Sequence, residues 1–78
     1  MVLRDRSQVS EFVHAAEKCH GEVFYEDSMG DRLNLKSALS QFVLDIILYK
    51  AEDVDYCIYF EKEDSELLLP YLKEKSDL

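Results

Sequence analysis

Few groups in this 78-residue chain could do chemistry. His14 and His20 are the side chains that titrate near neutral pH, and a histidine can pass a proton or accept a phosphoryl group. Neither has a carboxylate at relay spacing, and no His-x-x-x-His or nucleophile pattern accompanies them. His14 falls off the apolar stripe of its segment. His20 lies beside a helix stop, where an imidazolium would complement the macrodipole. Both read as surface residues. Cys19 and Cys57 are far apart, match no metal spacing and read as reduced, partly buried thiols, with a single disulfide as the alternative. The acids Glu61, Glu63, Asp64 and Glu66 lack the alternating ligands and central glycine of a calcium loop, so they read as a strand end and a helix cap. Tyr25, Tyr56 and Tyr59 read as half-buried strand residues, with an aromatic binding face as the alternative. No metal, cofactor or catalytic activity is expected.

Ser37 is different. It follows Asn34-Leu35-Lys36 and opens an apolar helix, where its hydroxyl can cap the backbone. A phosphoryl group at that place would meet free N–H groups and the positive end of the helix dipole while adding about -1.5 to -2 charge. A plain cap and a phosphoacceptor look the same in sequence.

The elements that position these residues follow from periodicity. Val9, Phe12, Val13, Ala16 and Cys19 recur at helical spacing, so a helix is expected from about Ser7 to Cys19. Asp5 with Gln8 has the character of a capping box, Ser7 is a second candidate cap, and Gly21 supplies the stop. Strand-forming residues 22–26, turn residues 27–31 and the alternating stretch 32–35 predict a β-hairpin. Leu39, Phe42, Val43, Ile46 and Ile47 give the helix from Ser37 to Tyr49 or Lys50 a wide apolar face. Residues 52–55 form a polar connector and 56–60 the clearest strand. Asp64 or Ser65 caps a last helix, with apolar positions at Leu67, Leu68, Tyr71 and Leu72, which Pro70 should kink or delay. The prediction is one α+β domain over residues 1–78, with helices on one face of an antiparallel sheet.

Composition narrows the partners. Apolar residues make up 47% of the chain, enough for one core, and 17 acids against 9 bases leave a net charge of -8. Phosphate binding needs clustered Lys and Arg, so nucleic acid is not an expected partner. The surplus reads as a solvated surface, with a docking face for a basic protein as the alternative. The first residues are charged, which does not suit a signal peptide, and no apolar run nears the ~20 residues of a membrane span. A cytoplasmic protein is the expectation.

The segment from Asn34 to Leu44, together with residues 11–18, resembles the histidine-containing phosphocarrier protein (HPr) family of the bacterial sugar phosphotransferase system. The resemblance implies an HPr-like open-faced β-sandwich in the order strand, helix, strand, strand, helix, strand, helix. It places three helices on one face of the sheet and leaves the first strand short or missing at Met1–Leu3. An open sheet edge would then invite a homodimer. The family's phosphorylated histidine would align with Asp5, its arginine with Ser7 and its proline with Gln8. This implies a degenerate phosphohistidine site at Asp5, Arg6 and Ser7 that no longer relays phosphate. Ser37 aligns with the family's regulatory phosphoserine, and Lys36, Ala38 and Gln41 with its partner-docking face. The implied function is a protein-binding regulatory module around Asp5 and Ser37. Its partner would be a phosphotransferase-system enzyme, a kinase or a transcription regulator. The alternatives are a phosphocarrier with a displaced acceptor histidine and a structural homodimerising domain.

Overall fold

Asp5 starts the first helical segment. Its backbone is extended (φ -145°, ψ 113°), and its carboxylate accepts from Ser7 N at 2.9 Å, satisfying a donor that a helix start leaves unpaired. A 3-10 turn at Arg6–Gln8 follows and passes into α1, Val9–Glu17. The computed structural model describes residues 1–50 and 55–75. The expected polar connector therefore lies outside the described residues except for Asp55.

Ahead of α1 stands β1, Val2–Leu3. After it come β2, Val23–Asp27, and β3, Arg32–Asn34, then α2, Ala38–Lys50, and β4, Tyr56–Phe60. The chain then forms a 3-10 turn, α3, Ser65–Leu68, a second 3-10 turn at Leu69–Tyr71, and β5, Leu72–Lys73. Among the described residues this is an α+β protein of three α-helices and two antiparallel sheets, one ordered β3-β2-β4 and the other β1-β5.

The hairpin forms as expected, with Tyr25 opposite Leu33. Asp27 organises its turn by accepting from Met29 N and Asp31 N, each at 3.0 Å, and Gly30 takes φ +93°, a region that side chains avoid. β4 lies on the other side of β2, pairing Val23 with Phe60 and Tyr25 with Ile58. Alternation sends Val23, Tyr25, Tyr56 and Ile58 into the core, while Phe24, Glu26, Cys57 and Tyr59 occupy the opposite face. The inward residues of this sheet share one core cluster with residues of the helices.

β1 completes the fold. Val2 and Leu3 are buried, Leu3 pairs with Leu72, and its N–H donates to the Tyr56 hydroxyl at 3.0 Å. The Met1 carbonyl accepts from Ile58 N at 2.7 Å, so the chain start also meets the outer edge of β4. The first strand is therefore present and short.

The core joins Phe12, Ala16 and Cys19 of the α1 segment to Leu35, Leu44, Leu48, Leu68 and Leu72. Two expectations need correction. Pro70 does not kink or delay the last helix; α3 ends at Leu68, and the proline sits in the 3-10 turn that leads Leu72 into β5. In α2, Leu44 and Leu48 face the core, whereas Leu39, Phe42 and Ile46 are exposed. The repeat marked by the sequence lies largely on the outside of that helix.

Candidate functional site

At the start of α1, the Asp5 carboxylate also accepts from the Ser7 hydroxyl at 2.7 Å. Those bonds, the hydroxyl first and the backbone N–H second, hold its carboxyl below the ordinary aspartate range. The position where a helix start would receive an anion is thus occupied by the protein's own carboxylate. Ser7 serves as donor, not as cap. Arg6 is half-buried and donates from Nη1 to the Leu48 carbonyl at 3.1 Å, tying this corner to the far half of α2.

At the other end of α2, Ser37 is exposed and immediately precedes the helix. Its carbonyl accepts the first helical bond, from Gln41 N at 3.0 Å, which makes Ser37 the N-cap residue. The turn before it is shaped by Asn34, whose Oδ1 accepts from Lys36 N at 3.0 Å and whose Nδ2 donates to Glu22 Oε2 at 2.9 Å. Lys36 Nζ donates to the Cys19 carbonyl at 2.6 Å, and Gln41 Nε2 donates to the Leu35 carbonyl at 2.9 Å. Both side chains therefore brace the approach to α2. Ala38 is exposed.

The two corners are not one site. Arg6 and Ser7 line a groove with Leu48 and Tyr49, whereas Ser10 and His14 line a groove with Ala38 and Phe42. α1 and α2 therefore run antiparallel, and Ser37 and Leu48 stand about 16 Å apart along the α2 axis at 1.5 Å per residue. The histidine that faces the first turns of α2 across the groove is His14, which is exposed, with Glu17 at 3.9 Å from its Nδ1. His20 is exposed at the end of the α1 segment.

The remaining candidates are divided between core and surface. Tyr25 and Tyr56 are buried and stacked, with ring centroids 5.4 Å apart, while Tyr59 is exposed on the opposite face, so the three form no common surface. Burial first, and the bond to Asp27 second, raise the Tyr25 phenol far above its ordinary value. Cys19 and Cys57 are free thiols, and burial raises that of Cys19. Asp64 caps no helix with its side chain. It is buried and accepts from His20 N and Gly21 N, each at 2.9 Å, fastening the end of the α1 segment to the segment after β4. Among the described residues, no three His, Cys, Asp or Glu side chains gather as a metal set would, and no helix is long and apolar enough to cross a membrane.

The feature missed by the sequence reading is the outward side of α2. Leu39, Phe42, Ile46 and Tyr49 are 73%, 65%, 40% and 87% exposed. The sequence reading places Leu39, Phe42 and Ile46 on a wide apolar face without saying whether that face is buried, and it leaves Tyr49 out. Comparison of the chain with protein-family models, curated proteins and solved structures finds no match in any of the three.

Proposed function

We propose that this chain is a protein-binding regulatory module of HPr type, switched by phosphorylation at Ser37 and without histidine phosphorelay. The observation that carries the reading is an exposed serine at the N-cap of a 13-residue helix whose outward side presents Leu39 and Phe42. A phosphoryl group there adds about -1.5 to -2 charge beside an apolar docking surface, at the helix end that favours anions. The element order from β1 to α3 is the order that the family resemblance implies. Asp5 supports the loss of phosphorelay, because its carboxylate takes the N-cap role at the position aligned with the acceptor histidine.

The test is intact-mass analysis after incubation with an HPr-type serine kinase and ATP. One phosphoryl adduct is expected on the native chain and none on Ser37→Ala; a native chain without the adduct defeats the reading. Incubation with phosphoenolpyruvate and the general phosphotransferase enzyme should leave no acid-labile adduct. A second reading, the displaced phosphocarrier, is favoured by the exposure of His14 across the groove from Ala38 and Phe42. An acid-labile phosphohistidine that disappears in His14→Ala would establish it.

A further inference from the structure

We propose that α2 pairs antiparallel with the α2 of a second copy of this chain, forming a two-fold dimer along Leu39, Phe42, Ile46 and Tyr49. These side chains recur at intervals of three, four and three residues, the spacing of a coiled-coil seam. At about 100° per residue they fall within an arc of roughly 80°, on the side of the helix away from buried Leu44 and Leu48.

Their order selects a second copy as the occupant. Along the helix the stripe reads aliphatic, aromatic, aliphatic, aromatic. Turned antiparallel about an axis level with Leu44, it sets Leu39 against Tyr49 and Phe42 against Ile46. Each large ring then meets a smaller aliphatic side chain in all four contacts, as an isologous interface requires.

Area and charge agree with that occupant. The four side chains expose roughly 500 Å² per protomer, taking about 150–250 Å² for each aromatic residue. A symmetric pair removes up to ~1,000 Å², the size of a weak, reversible interface. The molecule carries a net charge of -8, yet no member of the seam is charged, and Asp45 lies only at its flank. Two acidic copies can therefore meet along this seam without setting its own side chains charge against charge. Screening by salt should strengthen the pairing, whereas it would weaken the docking of a basic partner. The inference does not depend on modification of Ser37.

Sedimentation velocity of the full chain tests it, over about a hundredfold range of concentration at ~0.02 and ~0.5 M salt. A monomer–dimer shift is expected, ending at two copies and moving to lower concentration as salt rises. Phe42→Glu and Tyr49→Glu should each move the midpoint to at least about tenfold higher concentration. Both positions are mostly exposed, so far-UV circular dichroism and the thermal midpoint should be retained. If either variant fails to fold, the other carries the test. A strict monomer throughout, association that salt weakens, or a dimer untouched by both variants overturns the proposal. The last outcome would place the contact away from α2.

Discussion

Asp64 shows how one buried carboxylate can organise a junction. Its two oxygens take the consecutive N–H groups of His20 and Gly21, which the end of the α1 segment would otherwise leave unpaired. The His20 bond first, and the Gly21 bond second, hold its carboxyl below the ordinary aspartate value of about 3.9. A depressed folded-state pKa contributes stability that is full above the unfolded value and is lost as pH falls through the folded one. Asp64→Asn keeps the shape but turns an amide NH2 toward one of the two donors. Its urea midpoint should lie below that of the native chain at pH 7, and the gap should narrow as pH falls below the ordinary aspartate range. A gap independent of pH would show that the charge is not what the junction uses. Gly21 belongs to the same junction for a reason of space, since its φ is not positive. A Cβ there would overlap Glu61 Cγ and stand 2.9 Å from Glu61 Cβ. Gly21→Ala should cost about 1–3 kcal/mol by urea denaturation. Adding Glu61→Ala should recover only part of it, because the Glu61 Cβ remains.

At the scale of elements, α2 separates what periodicity reports from what packing decides. The helix is apolar on more than one side, so the sequence shows a repeat without showing which repeat is buried. The fold buries Leu44 and Leu48, because they meet the core with Leu35 and Phe12. Leu44→Ala should therefore cost about 2–5 kcal/mol. Leu39→Ala removes the same atoms from a 73% exposed position and should stay within about 0.5 kcal/mol at protein concentrations low enough to dissociate any dimer. Equal losses in urea denaturation would mean that the outward stripe is not outward. By contrast, α1 was legible because its polar residues Glu11, His14, Glu17 and Lys18 leave one continuous apolar side. The hairpin was legible from its turn residues. Asp5 was legible as a cap, but its partner was not: the carboxylate takes Ser7 N, while Gln8 N donates to the Asp5 backbone carbonyl. β5 was not, since two residues carry no period and this strand exists through its pairing with β1, about seventy positions earlier in sequence. The inward turn of Lys36 and Gln41 was equally hidden, because their acceptors are backbone carbonyls that any residue could supply. Ser37 and Asp5 were found separately, but their separation along α2 depends on the antiparallel course of two helices, which no local pattern encodes.

The whole molecule carries its charge unevenly balanced. Against a net charge of -8, the described residues hold few ion pairs between full charges, Arg32 with Glu26 at 3.1 Å and Lys75 with Asp55, and both are exposed. Exposed pairs of this kind contribute about 0–1 kcal/mol, so the net charge of -8 is expected to act on the chain as self-repulsion. Salt screens that repulsion over a Debye length that shrinks from about 30 Å at 0.01 M to about 8 Å at 0.15 M. The thermal midpoint at pH 7 should therefore rise across that interval; a fall would mean that the ion pairs outweigh the surplus. Dimerisation through α2 would also raise the midpoint with salt, so the two causes must be separated. In Phe42→Glu the seam is broken and the chain gains one further negative charge. If self-repulsion acts within each copy, its midpoint should still rise with salt and should not depend on protein concentration. If the rise disappears in that variant, the salt effect in the native chain belongs to association alone, and the acidic surface is neutral toward folding.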